Sequence, residues 1–246
     1  MKISKKLLNI IIPVLLYIVV ISFPFDLFIK NELWLNLSNL LLRVVYLIFV
    51  FIYIKKEGLF AKRTGNCKDF ILFAPFFIAT FSNFIYLIFN KSAFNSLGYS
   101  NFNFIIVFNI FLLALIEEIV FRMLIQNNLP IKNKFLKILV AAGIFGAFHL
   151  LNLINGFNLL IFVQMIYTFA LGMVVGLIYE YTYSLLYVFI YHFAFNLLNS
   201  YLFGLVAENS WDISFVITNI VIAVVLGLYW LFLFIRFQKE EVKALE

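Results

Sequence analysis

Glu117 and Glu118 lie side by side, with Arg122 close behind, inside an otherwise apolar run, Leu115-Ile116-Glu117-Glu118-Ile119-Val120-Phe121-Arg122. An ionised side chain near the centre of a bilayer costs at least ~2.5–3.5 kcal/mol on insertion scales. Such a cluster needs a compensating role. On an α-helix residues four apart share a face, so Glu118 and Arg122 can pair and neutralise one another. Glu117 is offset by about 100° and lies off that pair. A carboxylate without a cationic partner in a low-dielectric site is a stronger base, which suits a general base working near neutral pH. The two acids therefore divide into one structural and one reactive group. The chain has two histidines, His149 and His192, and both fall in apolar helical stretches. His192 and Asn196 are one helical turn apart, so their side chains can converge on one spot. There they could hold an oxyanion or help hold a metal.

These residues need helices to carry them, and composition says what kind. The chain of 246 residues is 65% hydrophobic and 12% charged, with a mean hydropathy of +1.07. Soluble domains are about half apolar and a quarter charged. The expected fold class is an all-α, polytopic transmembrane helix bundle in the cell membrane, with the lipid bilayer as its surroundings. A span needs about 20 apolar residues. Segmentation at charges and turn residues predicts about eight spans, at 8–29, 34–54, 69–89, 103–125, 137–154, 159–180, 183–203 and 213–235. The first resembles a signal peptide, but its apolar run is long and no small-residue cleavage site follows, so it is read as an uncleaved span. Residues 1–246 are read as a single transmembrane domain.

Charge sets an expected orientation. With the N-terminus inside, the inner segments hold 14 of the 18 basic residues, from Lys2 to Lys243, and the outer loops hold Lys30 and Lys91. The positive-inside rule then places both termini in the cytoplasm. On that segmentation Glu117 and His192 lie about 12 Å, and His149 about 18 Å, from their inner helix ends. All three are expected in the inner half of the bilayer. The net charge of +6 reports topology rather than an acidic partner, and no nucleic acid is expected. Cys67, the one cysteine, excludes an internal disulfide and a cysteine metal cluster. There is no HExxH, no Gly-x-Ser-x-Gly and no glycine-rich phosphate loop. Asp26, Asp69 and Asp212 stand at segment ends, which argues against an aspartyl pair.

Three motifs in order carry a family resemblance. Glu117-Glu118-Ile119-Val120-Phe121-Arg122 reads as EExxxR, Phe145-Gly146-Ala147-Phe148-His149 as FxxxH, and His192-Phe193-Ala194-Phe195-Asn196 as HxxxN. In this order on successive helices they resemble the CAAX-prenyl-protease and bacteriocin-processing family, the Abi group of intramembrane proteases. Ras-converting endoprotease is a eukaryotic branch of it. The resemblance implies an eight-helix endopeptidase with its core at about 103–203. By that likeness Glu117 activates a water and His149 assists. His192 and Asn196 stabilise the oxyanion, and Glu118 and Arg122 support Glu117. The substrate would be a membrane-associated peptide or protein. A Phe-, Ile-, Asn- and Lys-rich usage points to an AT-rich genome, where bacteriocin self-immunity or peptide processing is the more natural role. Metal dependence stays open: no cofactor is certain, but Glu117, His149 and His192 could form a zinc set. Two other classes remain. One is a non-catalytic immunity or scaffold protein, the other a proton-coupled transporter, which also uses buried Glu and His.

Overall fold

Runs of Leu, Ile, Phe and Val, punctuated by Asn, Ser and Gly, form helices throughout the computed structural model. It describes residues 5–59, 67–90, 103–157, 160–202 and 213–243, and no strand occurs among them. Among the described residues, seven helices are long and apolar enough to cross a membrane. They are α1 (Asn9–Leu27), α2 (Glu32–Glu57), α3 (Ile71–Phe89), α4 (Phe104–Asn128), α5 (Lys134–Ile154), α6 (Ile161–Thr182) and α8 (Ser214–Glu240). The eighth expected span is the shorter apolar helix α7, Leu185–Asn199. Each predicted stretch therefore meets a helix within a few residues. Four predicted features lie largely or wholly outside the described residues: the basic loop around Cys67, the 90–103 connection, the 208–212 turn and the extreme N-terminus.

The boundaries follow local chemistry. The Asn31 side chain accepts a hydrogen bond from the Trp34 amide at the start of α2. Asn103 caps α4 through the Ile105 amide, Asn133 caps α5 through Leu136, and Ser184 caps α7 through Tyr187. Each cap satisfies an amide that the first helical turn leaves without a partner. Gly58 ends α2 in the left-handed region, at φ 62°, where glycine carries no Cβ penalty. Only Tyr183 and Ser184 separate Thr182 from α7, and Tyr183 takes φ 49° to make so tight a turn.

The chain divides into two compact units. The first holds α1, α2, α4, α5 and α6 as far as Gly176. Within it α2 packs along α4 and α1 lies against α2. α5 and α6 meet through small residues. A Cβ on Gly172 would stand 3.0 Å from Ala142, and one on Gly146 would stand 2.9 Å from the Met165 carbonyl. Such seams let helix backbones approach closely where no hydrophobic drive pulls them together. The second unit holds α3, the end of α6, α7 and α8. Its α3 emerges from a 3-10 run, Cys67–Phe81, that contains Pro75 and becomes α-helical at Ser82. Asn199 of α7 accepts from the Ser82 hydroxyl and the Asn83 amide and donates to the Ala79 carbonyl, bracketing that change of winding.

Much of the apolar surface faces outward. On α2, Leu41, Ile48, Phe51 and Ile52 are all more than half exposed, as are Ile220, Val221, Val224 and Leu228 on α8. Water would penalise such surfaces, whereas acyl chains match them. The protein is a multi-pass membrane protein.

Candidate active site

α4 changes its winding where its charges begin. It is α-helical over Phe104–Glu118, π-helical over Ile119–Ile125 and 3-10 over Gln126–Asn128. Single π turns inside α-helices are uncommon and cluster at functional sites. Glu118, Arg122 and Gln126 are all fully buried. Arg122 Nε donates to Glu118 Oε2 at 3.1 Å and Nη1 to Gln126 Oε1 at 3.2 Å. Gln126 Nε2 then donates to the Gly176 carbonyl of α6 at 3.0 Å. The guanidinium also stands over the Phe145 ring, 5.4 Å from its centroid. The ion pair expected from i,i+4 spacing is therefore present, and it continues through an amide into α6. Glycine at 176 makes room, since a Cβ there would come within 3.3 Å of Gln126 Oε1.

Glu117 takes the other role. It is buried, and its Oε1 accepts a hydrogen bond from the Tyr17 hydroxyl of α1 at 2.9 Å. A neutral donor thus contacts Glu117, while Arg122 of the motif serves Glu118. Arg43 of α2 lies within Coulombic range of Glu117, and its Nη1 is held by the Asn109 side chain and carbonyl at 2.9 and 3.0 Å.

His149 sits where α5 tightens from α-helix into a 3-10 run, His149–Asn155. Its backbone amide bonds to Gly146 and Ala147 rather than to Phe145. The Phe145 carbonyl instead meets His149 Nδ1 at 3.0 Å. A carbonyl only accepts, so Nδ1 carries the proton, and Nε2 of the neutral ring is the acceptor. The four-residue spacing of FxxxH thereby sets a tautomer. Phe145 also packs its ring edge-on against the imidazole. One aromatic cluster joins both groups: Tyr17 stacks on Phe148, and Phe121 meets Tyr17, Phe145 and Phe148 edge-on. Glu117 and His149 thus border a single apolar cage within the first unit.

His192 and Asn196 belong to the second unit, on α7. His192 is 1% exposed and Asn196 half-buried. The Asn196 amide bonds to the His192 carbonyl, so the expected one-turn relation holds in the backbone. Asn196 opens a π-helical segment, Asn196–Leu202. Both acid and amide motifs therefore end in a π turn. Among the described residues, no three His, Cys, Asp or Glu side chains are grouped as a metal site.

Sequence reasoning missed Gln126, although its position four residues beyond Arg122 extends the same face. It also missed Asn199 and Tyr17. Nothing in a chain of 13 tyrosines marks one as the partner of an acid 100 positions away.

The three motifs fall within a stretch that matches a known family model. Residues 99–198 match the family model for Rce1-like proteins, type II CAAX prenyl endopeptidases. The Rce1-like segment runs from α4 into α7 and includes every residue of the three motifs. It supports an intramembrane protease of the CAAX type in general. No curated protein and no solved structure matches the chain.

Proposed function

We propose that the protein is an intramembrane endopeptidase that hydrolyses a membrane-associated peptide or protein, with Glu117 as the general base. The observation that carries this reading is the division of labour in α4. Glu118 is neutralised by Arg122, whereas Glu117 is held by a hydroxyl. The Glu117 carboxylate can take a proton from water as that water attacks the scissile carbonyl. His149, with its proton on Nδ1, accepts a hydrogen bond from the same water at Nε2, and Glu117 passes the proton it has taken to the departing amine as the C–N bond breaks. His192 and Asn196 supply the donors for the tetrahedral oxyanion, a role that rests on the HxxxN motif. No step of this reaction passes through a metal. Peptide processing or bacteriocin self-immunity is the proposed biological setting.

The test compares membrane peptides from cells carrying wild type and Glu117→Gln. The amide keeps the size and removes the base, so cleavage should fall ~10²–10⁴-fold, the range for losing a general base. Wild-type cleavage by a folded Glu117→Gln protein would refute the assignment, and unchanged peptide profiles with and without the protein would refute the protease.

A further inference from the structure

The Tyr17–Glu117 contact reaches outside the Rce1-like segment. Tyr17 lies on α1, 100 residues before the acid it touches. Several independent contacts hold it. The ring is 2% exposed and stacks on Phe148 at 6.1 Å, with a 24° angle between planes. Phe121 meets it edge-on at 5.8 Å. One helical turn earlier, the Pro13 carbonyl accepts a hydrogen bond from the Tyr46 hydroxyl of α2 at 2.8 Å, which pins α1 along its axis. Tyr46 is itself three residues from Arg43, whose guanidinium is clamped to Asn109 on α4. Asn109 and Glu117 are about two turns apart on α4, and α1 and α2 each reach that helix through one of them. The three helices thus share a polar seam, with Arg43–Asn109 at one level and Tyr17–Glu117 at the next.

We propose that Tyr17 is a positioning residue that aims the Glu117 carboxylate. The proposal rests on the reading of Glu117 as general base. A carboxylate at the end of a glutamate turns freely about its last bond unless something grips one oxygen. The Tyr17 hydroxyl grips Oε1 and so directs Oε2. Its donor is rigid, because stacking fixes the ring and Tyr46 fixes the helix. The hydroxyl acts through the Glu117 carboxylate. Its effect is on the rate of proton transfer, since a base displaced by about 1 Å loses roughly a hundredfold.

Tyr17→Phe removes one oxygen and keeps the stacking. In detergent-purified protein with a cleavable membrane peptide, kcat should fall ten- to a hundredfold while KM changes less than twofold. The melting temperature should stay within a few degrees of wild type. In a Glu117→Gln background, Tyr17→Phe should have no further effect on the residual rate. A Tyr17→Phe enzyme with wild-type kcat overturns the proposal. So does a rate loss that merely tracks a lower melting temperature, or one that is undiminished in the Glu117→Gln background. Wild-type activity in Glu117→Gln alone refutes the general-base reading, whereas an inactive Glu117→Gln beside a fully active Tyr17→Phe refutes only the role of Tyr17.

Discussion

Removing the Arg122 side chain is the sharpest perturbation of the α4 network. Arg122→Ala deletes the 3.1 Å bond to Glu118, the 3.2 Å bond to Gln126 and the guanidinium over Phe145. Both Arg122 and Glu118 are fully buried, so water cannot replace the lost partner without opening the helix seam. Breaking a buried pair by removing one member costs ~3–5 kcal/mol, because the other charge is left uncompensated. For a chain of this length each kcal/mol is worth about 2–4 °C, so the melting temperature should fall by roughly 10 °C. Glu118→Gln in the same background removes the orphaned charge, and the double variant should recover at least half of the loss. Arg122→Lys keeps the charge but cannot hold Glu118 and Gln126 through one planar fork, so its loss should be smaller. The assay is thermal unfolding of the four proteins in one detergent, alongside cleavage by each. An Arg122→Ala protein as stable as wild type but inactive would refute the structural role and assign Arg122 a direct part in the chemistry. A double variant no more stable than Arg122→Ala would refute the argument from uncompensated charge.

Two further outcomes follow from features of the chain. Both termini are expected in the cytoplasm: reporter fusions at Glu246 and within residues 90–103 should report opposite sides of the membrane, and an outside Glu246 would overturn the orientation drawn from basic residues. Asn196→Ala should slow turnover ~10²–10³-fold, the scale of losing one oxyanion donor, with KM nearly unchanged. Elemental analysis of wild type, Asn196→Ala and His192→Ala tests the competing ligand role, since one tightly bound metal per chain that both variants lose would overturn the oxyanion assignment.

Membrane character, helix positions and the Glu118–Arg122 pair were legible in the sequence because each depends on near neighbours. Twenty apolar residues make a span wherever they occur, and i,i+4 spacing brings two side chains together on any α-helix. The FxxxH spacing likewise already contained the contact from His149 Nδ1 to the Phe145 carbonyl, although that contact needed the 3-10 tightening at His149 to release the carbonyl. The partner of Glu117 was not legible. Hydrophobic pattern says that α1 is buried in a bilayer, but not which of its faces meets α4, and the Tyr17 hydroxyl finds its acid only once those helices pack. The π turns after Glu118 and at Asn196 were hidden for a related reason. An extra residue per turn costs backbone geometry that local propensity never favours, and only contacts made across helices sustain it. Sequence alone determined which residue types lie in the membrane and which acid Arg122 neutralises, and tertiary packing decided that the Tyr17 hydroxyl holds the other.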